Sequence, residues 1–189
     1  MIARRHKGEH VGMEIFGDQM CGGSYVLRMR VDRPTRVSFG QFMAGRPIGV
    51  IPGTYVYVGS AMGRWQSLGR RLARHATRSV ASRPYAIREE IARLFGQGVL
   101  PQGEKRLRWH IDYMLDCGVV DLTDILGVCS PVRLEGAIAD LLLNDASARV
   151  FAPGLGASDH PGKTHILQVP NGNTWWHGFS LRAASCTSL

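Results

Sequence analysis

No apolar run in this chain approaches the roughly eighteen residues that a bilayer-spanning helix requires. The basic opening, MIARRHKGEH, has neither an apolar core segment nor a small-residue cleavage site, so it makes a poor signal peptide. The expectation is a soluble, cytoplasmic protein with no membrane partner. Cysteine is scarce: Cys21, Cys117, Cys129 and Cys186 stand far apart without a CxxC pair, so neither a zinc ribbon nor a disulfide framework is signalled. Buried reduced thiols are the simpler reading. Lysine is scarcer still, with Lys7, Lys105 and Lys163 alone among 23 basic residues, and no internal repeat is visible. The 189 residues suit one domain with a core of its own, and a second full domain is not expected.

What the chain does have is positive charge in one place. From Arg64 to Arg108 there are eleven basic and three acidic residues, so this segment carries the whole formal excess of +8, and the remainder is balanced. An arginine-rich composition explains the choice of arginine over lysine but not the clustering. A block of this kind suits a partner made of phosphates, because neutralising them releases counterions. A solvated face or an anionic membrane surface would use the same charges.

Periodicity supplies the elements. GSYVLRMRV from Gly23 alternates as a half-buried strand, TRVSFG reads as a short strand, and Pro52 and Gly53 introduce the strand TYVYVGSA. Ser67 can cap the helix LGRRLARHA, with Leu68, Leu72 and Ala76 as its apolar stripe. Pro84 fits the opening of a second helix carrying Ile87, Ile91 and Leu94, with Gly96 as its stop. Leu107, Ile111, Met114 and Leu115 mark a third helix, and VVDLTDILGVC reads as one strand, or as two with a turn. A fourth helix follows Ser130 and Pro131, with Val132, Ile138 and Leu142 facing the core, and THILQV is a final strand. Residues 1–21 are expected to be a loose arm, 22–169 the domain and 170–189 a tail that is weakly ordered at its end. The mixture predicts an α+β fold, a small, mainly antiparallel sheet flanked by helices.

Two features stand out chemically. Glu135 falls on the apolar stripe of the fourth helix, where a carboxylate is costly unless it is paired or bound to a cation. A position at the stripe's edge, salted by Arg133 or Arg149, is the plainer alternative. Tyr55, Tyr57 and Gly59 share a strand face, and the chain then runs directly into Arg70, Arg71, Arg74 and His75. Tyrosines in strands mostly pack; phenols beside a guanidinium point instead to an anion site.

These residues resemble the GIY-YIG nuclease superfamily, in particular a branch long catalogued as a domain of unknown function. Gly23-Ser24-Tyr25 is similar to the first half of the signature and Tyr57-Val58-Gly59 to the second. Leu68-Gly69-Arg70-Arg71-Leu72 resembles the helix motif, its arginine falling on Arg71, and Leu134-Glu135 resembles the later helix that carries a metal-binding glutamate. Tyr-Val-Gly-Ser-Ala, Arg-Trp-His-Ile-Asp-Tyr at 108–113 and Gly-Leu-Gly-Ala-Ser-Asp at 154–159 match the branch. The sequence departs from the pattern in three ways. The two tyrosines are too far apart for a short hairpin, so an insertion lies between their strands. Ser24 replaces an apolar residue, and the loop from His160 to His165 has no cysteine where much of the branch has one.

The resemblance implies one-metal hydrolysis of DNA phosphodiesters, with RNA left open as a substrate. Glu135 would hold Mg²⁺, or alternatively Mn²⁺; Arg71 would grip a phosphate oxygen; Tyr57 would take a proton from water and Tyr25 would orient water or phosphate. A phenol near its ordinary pKa is a poor base, so this scheme needs surroundings that favour phenolate. Arg64, Arg70, Arg74, His75, Arg78, Arg108 and His110 complete the expected nucleic-acid contacts. His110 and Asp112 do not share a helical face, so a paired acid and base is not expected there. Asp159, His160 and His165 form a low-specificity metal set, and no histidine-carboxylate spacing supports Ser60 as a nucleophile. Two alternatives remain: a binding module of the same fold that has lost turnover, and a peripheral membrane or protein-interaction domain. The oligomeric state is not readable.

Overall fold

The computed structural model describes residues 12–17, 22–63, 67–79, 83–156 and 164–188. Its centre is a six-stranded sheet in the order β1-β6-β2-β5-β8-β7. The strands are β1 (Gly12–Phe16), β2 (Gly23–Val31), β5 (Gly53–Ala61), β6 (Val120–Cys129), β7 (Arg149–Val150) and β8 (Ile166–Val169). Only β1 with β6 runs parallel; the other neighbours are antiparallel. A separate two-stranded sheet joins β3 (Thr35–Val37) to β4 (Ile48–Val50) and fills the insertion between the two tyrosine strands. Because that insertion closes on itself, β2 and β5 pair directly along their full lengths despite the sequence distance.

β2 is flanked on both sides and covered on both faces, which is why every residue of it except Arg30 is buried. Alternation sorts its side chains. Tyr25, Leu27 and Met29 join Tyr55, Tyr57, Leu68, Leu72, Ile91 and Ile111 in one core, while Val26 joins Val58, Leu126, Ile138, Leu142 and Phe179 in the other. The first core lies under α1 (Leu68–His75), α2 (Ile87–Phe95) and α3 (His110–Leu115), and the second under α4 (Glu135–Leu143) and α5 (Asn173–Ser185). Each fully buried leucine or isoleucine contributes roughly 1.5–3 kcal/mol.

The Ser67 hydroxyl caps α1 by accepting from the Arg70 amide at 3.3 Å. Gly69 lets α2 approach, since a Cβ there would lie 2.6 Å from the Phe95 ring. Gly96 ends α2 with φ of +86°, a conformation suited to glycine.

Several expectations need correction. Part of the expected N-terminal arm is strand β1, whose register runs from Gly12 beside Asp124 to Phe16 beside Val128. Most of the expected tail is α5. It is held by Trp176, Phe179 and Ala183 in the core, and by buried Arg28, which donates to Asn173 Oδ1 and the Asn171 carbonyl. α4 begins only at Glu135, so Val132 lies outside the helix and is 63% exposed rather than core. Leu94 sits at the rim of α2 and is also exposed. Cys117, Cys129 and Cys186 are free thiols, and among the described residues no helix is long and apolar enough to cross a membrane.

Candidate active site

The pairing of β2 with β5 sets Tyr25 opposite Gly59 and Leu27 opposite Tyr57, so the two tyrosines are diagonal neighbours on one face. Their ring centroids are 6.2 Å apart. Gly59 is required by this contact: a Cβ there would fall 2.5 Å from the Tyr25 hydroxyl and 2.9 Å from the Tyr57 ring. The glycine of Tyr-Val-Gly thus makes room for a pair of phenols.

α1 crosses that face and delivers His75 and Arg71. The Tyr25 hydroxyl lies 2.7 Å from His75 Nε2, with both side chains fully buried. On the other side of the imidazole, Nδ1 is 3.5 Å from Asp112 Oδ1. Asp112 Oδ2 accepts from Arg74 at 2.7 Å and from the amides of Arg108 and Trp109 at 2.9 and 3.1 Å. Lys105 Nζ also stands 3.5 Å from Oδ1. Asp112, His75, Tyr25 and Tyr57 therefore form a continuous polar thread through the core. At its Asp112 end, Oδ1 meets His75 Nδ1 and Lys105 Nζ, each at 3.5 Å, without a well-aligned hydrogen bond.

The protonation states follow from burial and these partners. Burial raises the Asp112 carboxyl, but His75 and Lys105 outweigh it and hold the group well below the usual carboxylate range. Burial pushes His75 down to about 4 against the opposing pull of Asp112, so the ring is neutral at physiological pH. An Nδ1–H facing Asp112 leaves Nε2 as the acceptor for the Tyr25 hydroxyl, a tautomer inferred from the network. Burial raises both tyrosines, Tyr25 well above its ordinary value. The Glu135 charge adds to the rise at Tyr57, and Arg71 opposes it at both rings. The surroundings required for a ready Tyr57 phenolate are thus not what the chain's own residues supply, because desolvation exceeds the pull of the single guanidinium.

Glu135 opens α4 rather than interrupting its stripe. The helix N-terminus favours its charge there. The Ser60 hydroxyl donates to Oε2, His165 Nδ1 lies 3.1 Å from Oε1, and Arg133 stands 4.0 Å away. Burial raises this carboxyl, yet His165 and Ser60 bring it below its ordinary value, so it is ionised at neutral pH. Ser24, which breaks the apolar pattern of its triplet, accepts from the Leu134 amide at 3.0 Å. It ties the start of α4 to the residue beside Tyr25 and so places Glu135 relative to the phenols.

The expected nucleic-acid contacts divide. Arg70 and Arg108 are exposed. Arg71 lies with its guanidinium 4.0 Å over the Trp109 ring. His75 is corrected: full burial removes it from any surface contact with phosphate. Arg74 is committed to Asp112 and the Arg106 carbonyl, and Arg78 to the Val120 carbonyl and the Tyr85 ring, so both hold the fold. His110 Nδ1 accepts from the Gly156 amide and steadies that turn. Arg64, Asp159 and His160 lie outside the described residues, and His165 serves Glu135. Sequence reasoning missed Trp109 and the roles of Ser60, His165 and Asp112. All four act through long-range contacts, although Trp109, Asp112 and Ser60 lay in motifs already singled out and His165 in the weak metal set.

An α+β domain with paired phenols, an imidazole and an edge carboxylate is the class these observations define. The chain belongs to the family described as domain of unknown function DUF123, whose pattern it matches over residues 24–182. No curated protein and no solved structure matches it.

Proposed function

We propose that this protein is a metal-dependent nuclease of the GIY-YIG type that hydrolyses phosphodiester bonds in DNA. The observation that carries the reading is convergence. Tyr25, Tyr57 and Arg71 come from three elements onto one face, and the ionised Glu135 is near enough for its charge to raise both phenols. Among the described residues no three His, Cys, Asp or Glu side chains come together. A site of one carboxylate fits Mg²⁺, which keeps several waters and uses few protein ligands, better than a metal that needs a side-chain cage. When bound, the cation supplies charge stabilisation for the leaving oxygen.

The chain's own residues divide the remaining work. Arg71, flat against Trp109, presents a planar fork to a nonbridging phosphate oxygen. Tyr57, protonated, donates a hydrogen bond toward phosphate, while Tyr25, whose one hydroxyl proton is given to His75 Nε2 at 2.7 Å, offers its oxygen as an acceptor to the attacking water or to Tyr57. As water attacks, a proton passes from Tyr25 to His75 Nε2 and Asp112 stabilises the imidazolium, while Tyr25 recovers a proton from water directly or through Tyr57. This route needs no standing phenolate.

A Mg²⁺-dependent nicking assay across duplex, flap and branched DNA tests the proposal. Cleavage that disappears in Glu135→Gln is expected; a folded protein that cuts none of these overturns it. The raised pKa of both phenols favours one second reading, a nucleic-acid-binding module without turnover. That reading requires salt-sensitive binding that persists without metal and is unchanged in Glu135→Ala.

A further inference from the structure

A recess of about 490 Å³ opens beside Arg71. Arg70, Arg71, Arg74, Lys105 and Trp109 line it, and the loop 98–104 closes its far wall with apolar Leu100. The volume lies within the roughly 300–1,000 Å³ typical of small-molecule sites and far exceeds the space needed for one phosphate. Its chemistry is specific. The Trp109 ring carries the guanidinium of Arg71 at 4.0 Å and that of Arg74 at 4.6 Å, which makes an aromatic and cationic wall. Lys105 lines the wall, but its Nζ is buried and turned to Asp112 Oδ1 at 3.5 Å, so it adds positive charge behind the wall and not a contact inside the recess.

We infer that this recess holds an unstacked nucleobase of the strand whose phosphate Arg71 contacts. The inference rests on the nuclease reading. Flat π-bearing and cationic walls are what a base stacks on. Arg70 and Arg71 at the mouth neutralise the phosphate on which the base hangs. A base still paired inside a duplex cannot enter, so the substrate class is single-stranded, flapped or otherwise unstacked at this nucleotide.

The test compares the full chain's binding to a short single strand and to an abasic strand with the same number of phosphates. The base-bearing strand is expected to bind about tenfold tighter, the scale of one stacked base. Gly98→Leu narrows the recess without strain, because Gly98 lines it and a Cβ there meets nothing within 4 Å. In that variant the advantage should vanish while the abasic strand's affinity stays. Equal affinities in the parent protein, or an advantage that survives Gly98→Leu, overturn the recess and leave the nuclease reading standing. Binding of duplex alone does the same. Failure of every nucleic acid to bind overturns both.

Discussion

Two carboxylates flank the tyrosine pair, and their surroundings are opposite. Asp112 is wholly buried, with Arg74, Lys105, His75 and two backbone amides around it. Glu135 stands at a helix start with 12% of its side chain exposed, and it is held by one hydroxyl, one imidazole and a distant guanidinium. A buried charge persists only where fixed partners replace its water, so Asp112 is built into the fold and positions His75. Glu135 keeps access to solvent and can exchange a partner for a cation. On the proposed reading, the same functional group is a positioning element in one region and a cation ligand in the other.

Asp112→Ala gives the largest effect. It leaves Lys105 and Arg74 without their counter-charge in the core, and a loss of roughly 3–5 kcal/mol is expected, read as a fall of the melting temperature of about 10 °C. A change below about 1 kcal/mol would place Asp112 among surface charges and dissolve the contrast. Glu135→Gln should do the reverse: the melting temperature barely moves, while the nicking rate falls at least about a hundredfold, as for removal of a group that stabilises transition-state charge. Comparable unfolding in the two variants would show that both carboxylates are structural.

The arginines sharpen the comparison on a smaller scale. Arg71→Lys keeps the charge but loses the planar fork and its stacking on Trp109, and cleavage should fall by roughly one to two orders of magnitude at nearly unchanged DNA affinity. Arg70→Ala should weaken binding and flatten its salt dependence with the cleavage step intact. Arg74→Ala should instead melt early, because its guanidinium belongs to Asp112. Equal and modest cleavage losses in all three would describe an undifferentiated basic face.

Much of this frame was legible from local pattern. Strand alternation located β2, β5 and β6, Ser67 and Gly96 marked helix ends, and the spacing between Tyr25 and Tyr57 required the insertion that β3 and β4 fill. The failures have a common cause. β1 is too short and only half-buried to show a period, and α5 lacks a clean stripe because Arg28 and its asparagine partners hold the helix start. Val132 fits a helical stripe in sequence, yet the chain is not helical there. For the site, tyrosines and arginines announced themselves by type. The Asp112–His75 link, the Ser60 and His165 grip on Glu135 and the Ser24 cap depend on contacts between elements distant in sequence, which no local window contains.

The last effect is a pH dependence centred on His75. Its unfolded pKa is near 6.5 and its folded value is lowered to about 4, so between these limits the unfolded chain binds a proton that the folded chain refuses. Stability is therefore complete above about pH 6.5 and falls as pH drops through the window. Asp112 acts in the same sense but later, because a depressed carboxyl loses its contribution only below the ordinary carboxylate range. From about pH 7 to about pH 5 the His75 part amounts to on the order of 2 kcal/mol, measurable as a shift of the urea midpoint. Tyr25, Tyr57, Lys105, Arg71 and Trp109 also face the ring. Of these, Lys105 and Arg71 both oppose its protonation. His75→Asn should flatten the slope within the window while the decline at lower pH persists. An unchanged slope in that variant would mean that the imidazole takes up its proton inside the fold, and the neutral acceptor for Tyr25 would be lost with it.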